Sequence, residues 1–188
     1  MNEKNITPLQ ERTDAKLRYA EIHLNELKSI ERLGGDDFDR AHLESFLYHL
    51  LGAKDAFLIE LNTYYAVGLG SNGLSMGKLR KALKEKGRKS EELAELYTLE
   101  SDERSWLFNS KAMRNHLTHV SGVKHHFHLG GVNDGKIFLT NPESGEKIER
   151  DFIDDFTNWL NQMRSLLGRL RVTALNEYQS SLDELNNS

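Results

Sequence analysis

The sequence predicts an all-α fold: an up-and-down bundle of about five helices with a small antiparallel β-hairpin or meander inserted before the last helix. Three observations point there. Pro8 and Pro142 are the only prolines, so the long stretch between them lacks the strongest helix breaker. Apolar residues recur at spacings of three and four over most of the chain. Strict alternation, the mark of a strand, is confined to 123–129.

Residues 1–9 read as a disordered start. From about Gln10 to Leu33, Leu17, Ala20, Leu24 and Leu27 share one helical face, and Gly34-Gly35-Asp36-Asp37 stops that helix and offers a cap for the next. The second helix, about Phe38 to Ala66, is apolar over a wide arc, from Leu43, Phe46, Leu47, Leu50 and Leu51 to Phe57, Leu58, Leu61, Tyr64 and Tyr65. Such a helix belongs in the centre of a bundle or at a subunit contact, and a homodimer is the expectation. After the flexible GLGSNG loop, Ser75 to about Gly87 forms a short basic helix. Ser90 opens a fourth, running unbroken to His119 or Val120, with acids in its first turn. VKHHFHL then alternates, KIFLT follows after the turn-rich GGVNDG as a second strand, KIE offers a third short strand, and the insert covers about 123–149. Phe152, Phe156, Trp159, Met163, Leu166, Leu167 and Leu170 mark the last helix, about Arg150 to Tyr178. Their spacing makes these aromatics core rather than base-stacking groups. Residues 10–180 read as one domain and 181–188 as a loose tail.

Composition narrows the function. A chain of 188 residues can bury one substantial core. The absence of cysteine removes disulfides, thiol nucleophiles and thiolate metal sites. No apolar run reaches membrane-spanning length and no leader is visible at Met1, so a cytoplasmic protein is expected. Walker-type loops, GxSxG and HEXXH are absent, and no cofactor is called for. The net charge of −4 conceals segregation: Lys78 to Lys89 holds seven basic residues and one acid. Lys78, Arg80, Lys81 and Lys84 are candidate phosphate-binding residues, although a charge run also serves as a solvated face.

The chemical candidate is Arg114-Asn115-His116-Leu117-Thr118-His119. It resembles the RX4–6H signature of the HEPN superfamily, in the Arg, the Asn after it, the His after four intervening residues, and the helical bundle around them. That resemblance implies an all-helical, commonly dimeric protein, and in many members a metal-independent endoribonuclease of toxin–antitoxin or defence systems, with RNA as substrate and an antitoxin-type protein as possible partner. It assigns catalysis to Arg114, Asn115 and His119.

The chemistry is intelligible without the resemblance. RNA is cut without metal when a base takes the 2′-OH proton, an acid protonates the leaving oxygen and a cation holds the phosphorane. Histidine titrates near neutrality, and arginine grips phosphate oxygens in a fork. On a regular helix Arg114 and His119 lie roughly 140° apart, so two subunits or a distorted helix end would have to bring them together. Other readings stand beside this one. Arg114 and His119 could be ordinary surface residues, with His116 favoured by the helix dipole. The bundle could be a non-catalytic protein–protein interaction or dimerisation module. His116, His119, His126 and His128 could close a site for an imidazole-seeking metal.

Overall fold

The computed structural model of the chain describes residues 7–29, 37–119, 125–127, 137–139, 145 and 152–186. The fold is all-α. Among these residues there are six helices: α1 (Thr7–Ser29), α2 (Asp37–Tyr64), α3 (Met76–Glu85), α4 (Glu91–Ser101), α5 (Trp106–His119) and α6 (Phe152–Asn186). Two three-residue strands, β1 (His125–Phe127) and β2 (Ile137–Leu139), pair antiparallel with His126 opposite Phe138. The remainder of the expected insert, including the third strand at 147–149, lies outside the described residues.

α2 is the central helix, and it packs against α1, α3, α5 and α6. Every residue of its predicted arc is buried, with Phe46, Leu47, Leu50, Phe57 and Leu61 fully enclosed. The arc is therefore used up within one chain and supplies no argument for a subunit contact. The α6 stripe closes the same core: Phe156 stacks on Phe46 at 4.7 Å and meets Trp159 at 5.2 Å. These aromatics are core, in agreement with their spacing.

One expected helix is two. The stretch from Ser90 to His119 breaks at 102–105, because Asp102 and Ser105 are cap formers whose side chains compete for backbone groups. The Asp102 carboxylate accepts from the Arg104 N–H at 3.0 Å. Ser105 Oγ accepts from the Phe108 N–H at 3.0 Å, opening α5, and donates to the Leu99 carbonyl at the end of α4. Elsewhere the helix starts match: Ser75 caps α3 and Ser90 caps α4 through their side chains. The chain enters α1 at Thr7 with Pro8 in its first turn, and α6 runs on to Asn186 because no glycine or proline follows Gly168.

Buried ion pairs lock the helices in place. Arg171 of α6 donates twice to Glu60 of α2, at 2.9 and 3.0 Å, and once to Asp14 of α1 at 3.0 Å. Glu100 at the end of α4 takes Lys54 of α2 at 2.7 Å and Lys111 of α5 at 3.2 Å. Burial pushes the Glu100 carboxyl up, but the two lysines outweigh it and hold the group below the usual carboxylate range. This cluster fixes α5, the helix that carries the RNHLTH segment, against α2.

Candidate functional site

Arg114 lies half-buried on α5, facing α2. Its guanidinium donates from Nε and Nη2 to the Asn115 side-chain oxygen, at 3.2 and 2.8 Å. A neighbouring amide thus occupies the Nε/Nη2 edge of the guanidinium and fixes its orientation. The pocket beside it, about 250 Å³, is lined by Glu44, Ser45, Leu47 and Tyr48 of α2 together with Arg114 and Leu117 of α5. His119 is the last residue of α5. Its side chain, like that of His126 and the whole of His128, lies outside the described residues, so of the four-histidine alternative only His116 is placed, half-buried on α5. Among the described residues no group of three or more His, Asp or Glu side chains is arranged to hold a metal.

The basic run separates into three tasks. Lys86 and Arg88 close the C-terminus of α2: Lys86 Nζ donates to the carbonyls of Ala66 and Val67, and Arg88 Nη1 to that of Tyr65. Cations are favoured at such carbonyls. Gly87, at φ +68°, makes this possible, since the Arg88 N–H returns to the Leu83 carbonyl and the Gly87 N–H to that of Lys84, ending α3 in a left-handed turn. Lys78 turns back to the Gly73 carbonyl at 2.6 Å and does not border the groove described next.

That groove, about 590 Å³, runs between α3 and the start of α4. Arg80, Lys81, Lys84, Arg88 and Lys89 rim it, with Leu83, Leu93 and Ala94 beneath, and no carboxylate lines it. The Arg80 guanidinium sits 4.0 Å over the ring of Tyr97, an exposed aromatic at the same edge. Three of the four predicted phosphate-binding cations therefore share one concave surface. Arg88 and Lys89 join them, and the basic run from Lys78 to Lys89 was the signal for both.

A family model described as "Family of unknown function (DUF6586)" matches residues 8–175. The chain is a DUF6586 protein. The match spans the helical bundle from α1 into α6, taking in the Arg114 pocket and the basic groove. No curated protein and no solved structure matches the chain. No helix among the described residues of this DUF6586 protein is long and apolar enough to cross a membrane. Glu44, Ser45 and Tyr48, which the RNHLTH segment meets across the pocket, stand far from it in the chain and carry no motif of their own. Only the packing of α5 on α2 reveals them.

Proposed function

We propose that this DUF6586 protein binds RNA and cleaves it without a metal ion, as the HEPN resemblance implies. The observation that carries the reading is the Arg114 guanidinium, oriented by Asn115 in a pocket five residues before His119. In this reading the basic groove holds the strand by its phosphates, and Arg114 grips the scissile one. His119 moves the proton: the 2′-oxygen attacks phosphorus, the bond to the 5′-oxygen breaks, and the products are a 2′,3′-cyclic phosphate and a 5′-hydroxyl. A homodimer supplies the second Arg114–His119 set and lets a base and an acid come from different copies. In the same reading a small antiparallel insert covers about 123–149 and carries His125, His126 and His128. A toxin–antitoxin or defence role, with an antitoxin-type partner and a cytoplasmic location, follows from the same resemblance.

A second reading has its own support. Tyr19, Ile22, Phe38 and Tyr48 are exposed apolar side chains on α1 and α2, and such residues suit a protein-interaction module.

Binding to a single-stranded oligoribonucleotide at low salt separates the two. RNA binding is expected to weaken steeply as salt rises, and Lys81→Ala with Lys84→Ala should weaken it further and flatten that dependence by about one log unit per lost phosphate contact. Absence of binding to any RNA at low salt would transfer the protein to the interaction-module reading.

A further inference from the structure

Six rings form one contact cluster along the α1/α2 pair. Phe38 meets His42 at 4.4 Å, His42 meets His23 at 5.1 Å, and His23 stacks on His49 at 5.6 Å. His49 then meets Tyr19 at 5.3 Å and Tyr48 at 5.2 Å. The three histidines stand at the centre of this cluster, and their Nδ1 atoms face hydrogen-bonding partners. Nδ1 of His23 is 3.1 Å from Nδ1 of His42. Two ring nitrogens at that distance share a single proton, one donating N–H and the other accepting through its lone pair. Nδ1 of His49 is 3.4 Å from Lys16 Nζ. An ammonium group can only donate, so this nitrogen must also offer a lone pair. Two of the three Nδ1 atoms are therefore unprotonated when the helices are packed as observed.

We propose that His23, His42 and His49 form an acid-operated latch between α1 and α2, closed while those two nitrogens are bare and opened when protons occupy them. A proton on Nδ1 of His49 would point an N–H at the Lys16 ammonium. A second proton between His23 and His42 would set two donors face to face.

The surrounding charges do little to relieve this. On α1, Glu26 is the one carboxylate that favours a charged His23. Glu21 and Asp14 of α1 are engaged by Arg164 and Arg171 of α6. On the α5 side, Arg114 and the Glu44 carboxylate of α2 share the pocket that Tyr48 lines. Burial, aided by His42, outweighs Glu26 and holds His23 below its ordinary value of 6.5. Burial, then Lys16 and His23, holds His49 below 6.5 as well. A histidine depressed in the folded state binds fewer protons there than in the unfolded chain. Its contribution to stability is thus complete above about pH 6.5 and declines as the pH falls below it. What loosens is the second half of α1, which contributes Leu24 and Leu27 to the core. The latch stands whether or not RNA is the ligand.

Amide hydrogen exchange on the full chain tests it, at about pH 7.5 and about pH 5.5 with intrinsic rates corrected, alongside the proton titration of each histidine. Protection of residues 19–29 should fall about tenfold relative to α6 on acidification, and His23 and His49 should titrate below 6.5. In Lys16→Met the ammonium is gone, so His49 should titrate higher and the acid-induced loss should shrink. In His23→Gln/His42→Gln, whose amides can donate and accept without charging, it should shrink as well. Protection of 19–29 that does not change with pH would overturn the proposal. So would variants that lose it in parallel with the wild type, or His23 and His49 titrating at 6.5 or above.

Discussion

Replacing Arg171 with methionine is expected to destabilise the fold by roughly 3–5 kcal/mol, the usual cost of stranding one member of a buried ion pair. Glu60 has no exposed surface, and two of its bonds come from the Arg171 guanidinium. Without that group the Tyr64 hydroxyl, which donates to Glu60 at 3.1 Å, is left among the described residues, and it cannot balance a carboxylate. The Asp14 contact adds less, because that side chain is nearly half exposed to water. Denaturant titration measures the effect. Arg169→Met, which removes a solvent-exposed pair with Glu95, should change stability by less than about 1 kcal/mol. Glu60→Gln combined with Arg171→Met should recover part of the loss, since the orphaned charge is then gone. A small effect of Arg171→Met would mean that α6 is not locked to α2 by this pair.

For the proposed reaction the largest effect belongs to His119. Its replacement by alanine is expected to slow RNA cleavage by roughly two to four orders of magnitude, the range for a positioned general acid or base. Arg114→Ala should be comparably damaging through lost stabilisation of the phosphorane. Arg114→Lys should rescue little, because a lysine keeps the charge but not the fork that Asn115 orients. His119 ends α5 and Arg114 is only half-buried, so circular dichroism should show the helices intact in each variant.

The helices were readable because burial imposes a period on the sequence. The faces of α2 and α6 had to present leucine and phenylalanine every three or four residues to share one core. The break between α4 and α5 was present in the residues as Asp102 and Ser105, yet the apolar pattern runs across it and conceals it. The end of α6 was hidden for the opposite reason: Ala174 is the last buried residue described on it, so the periodicity fades well before the helix ends at Asn186.

At the candidate site, motif and charge run were visible, but the division of labour was not. Lys81 and Lys84 rim a groove, while Lys86 and Arg88 close α2 and Lys78 answers Gly73, and nothing in the spelling KLRKALKEKGRK separates these roles. Tyr48 and Ser45 meet Arg114 only through packing. His23, His42 and His49 are scattered across two helices and become a cluster only when those helices lie antiparallel.

In the proposed reaction Arg114 and His119 cut RNA through its own 2′-hydroxyl. The most direct measurement incubates the 188-residue protein with single-stranded RNA in EDTA and identifies the new ends, using a matched substrate with 2′-deoxyribose at the cleaved position. The expected result is a 2′,3′-cyclic phosphate and a 5′-hydroxyl, no cleavage of the deoxy substrate, and near-complete loss with His119→Ala. RNA that binds at low salt yet stays intact, or cleavage that persists in a clean preparation of His119→Ala, would contradict it.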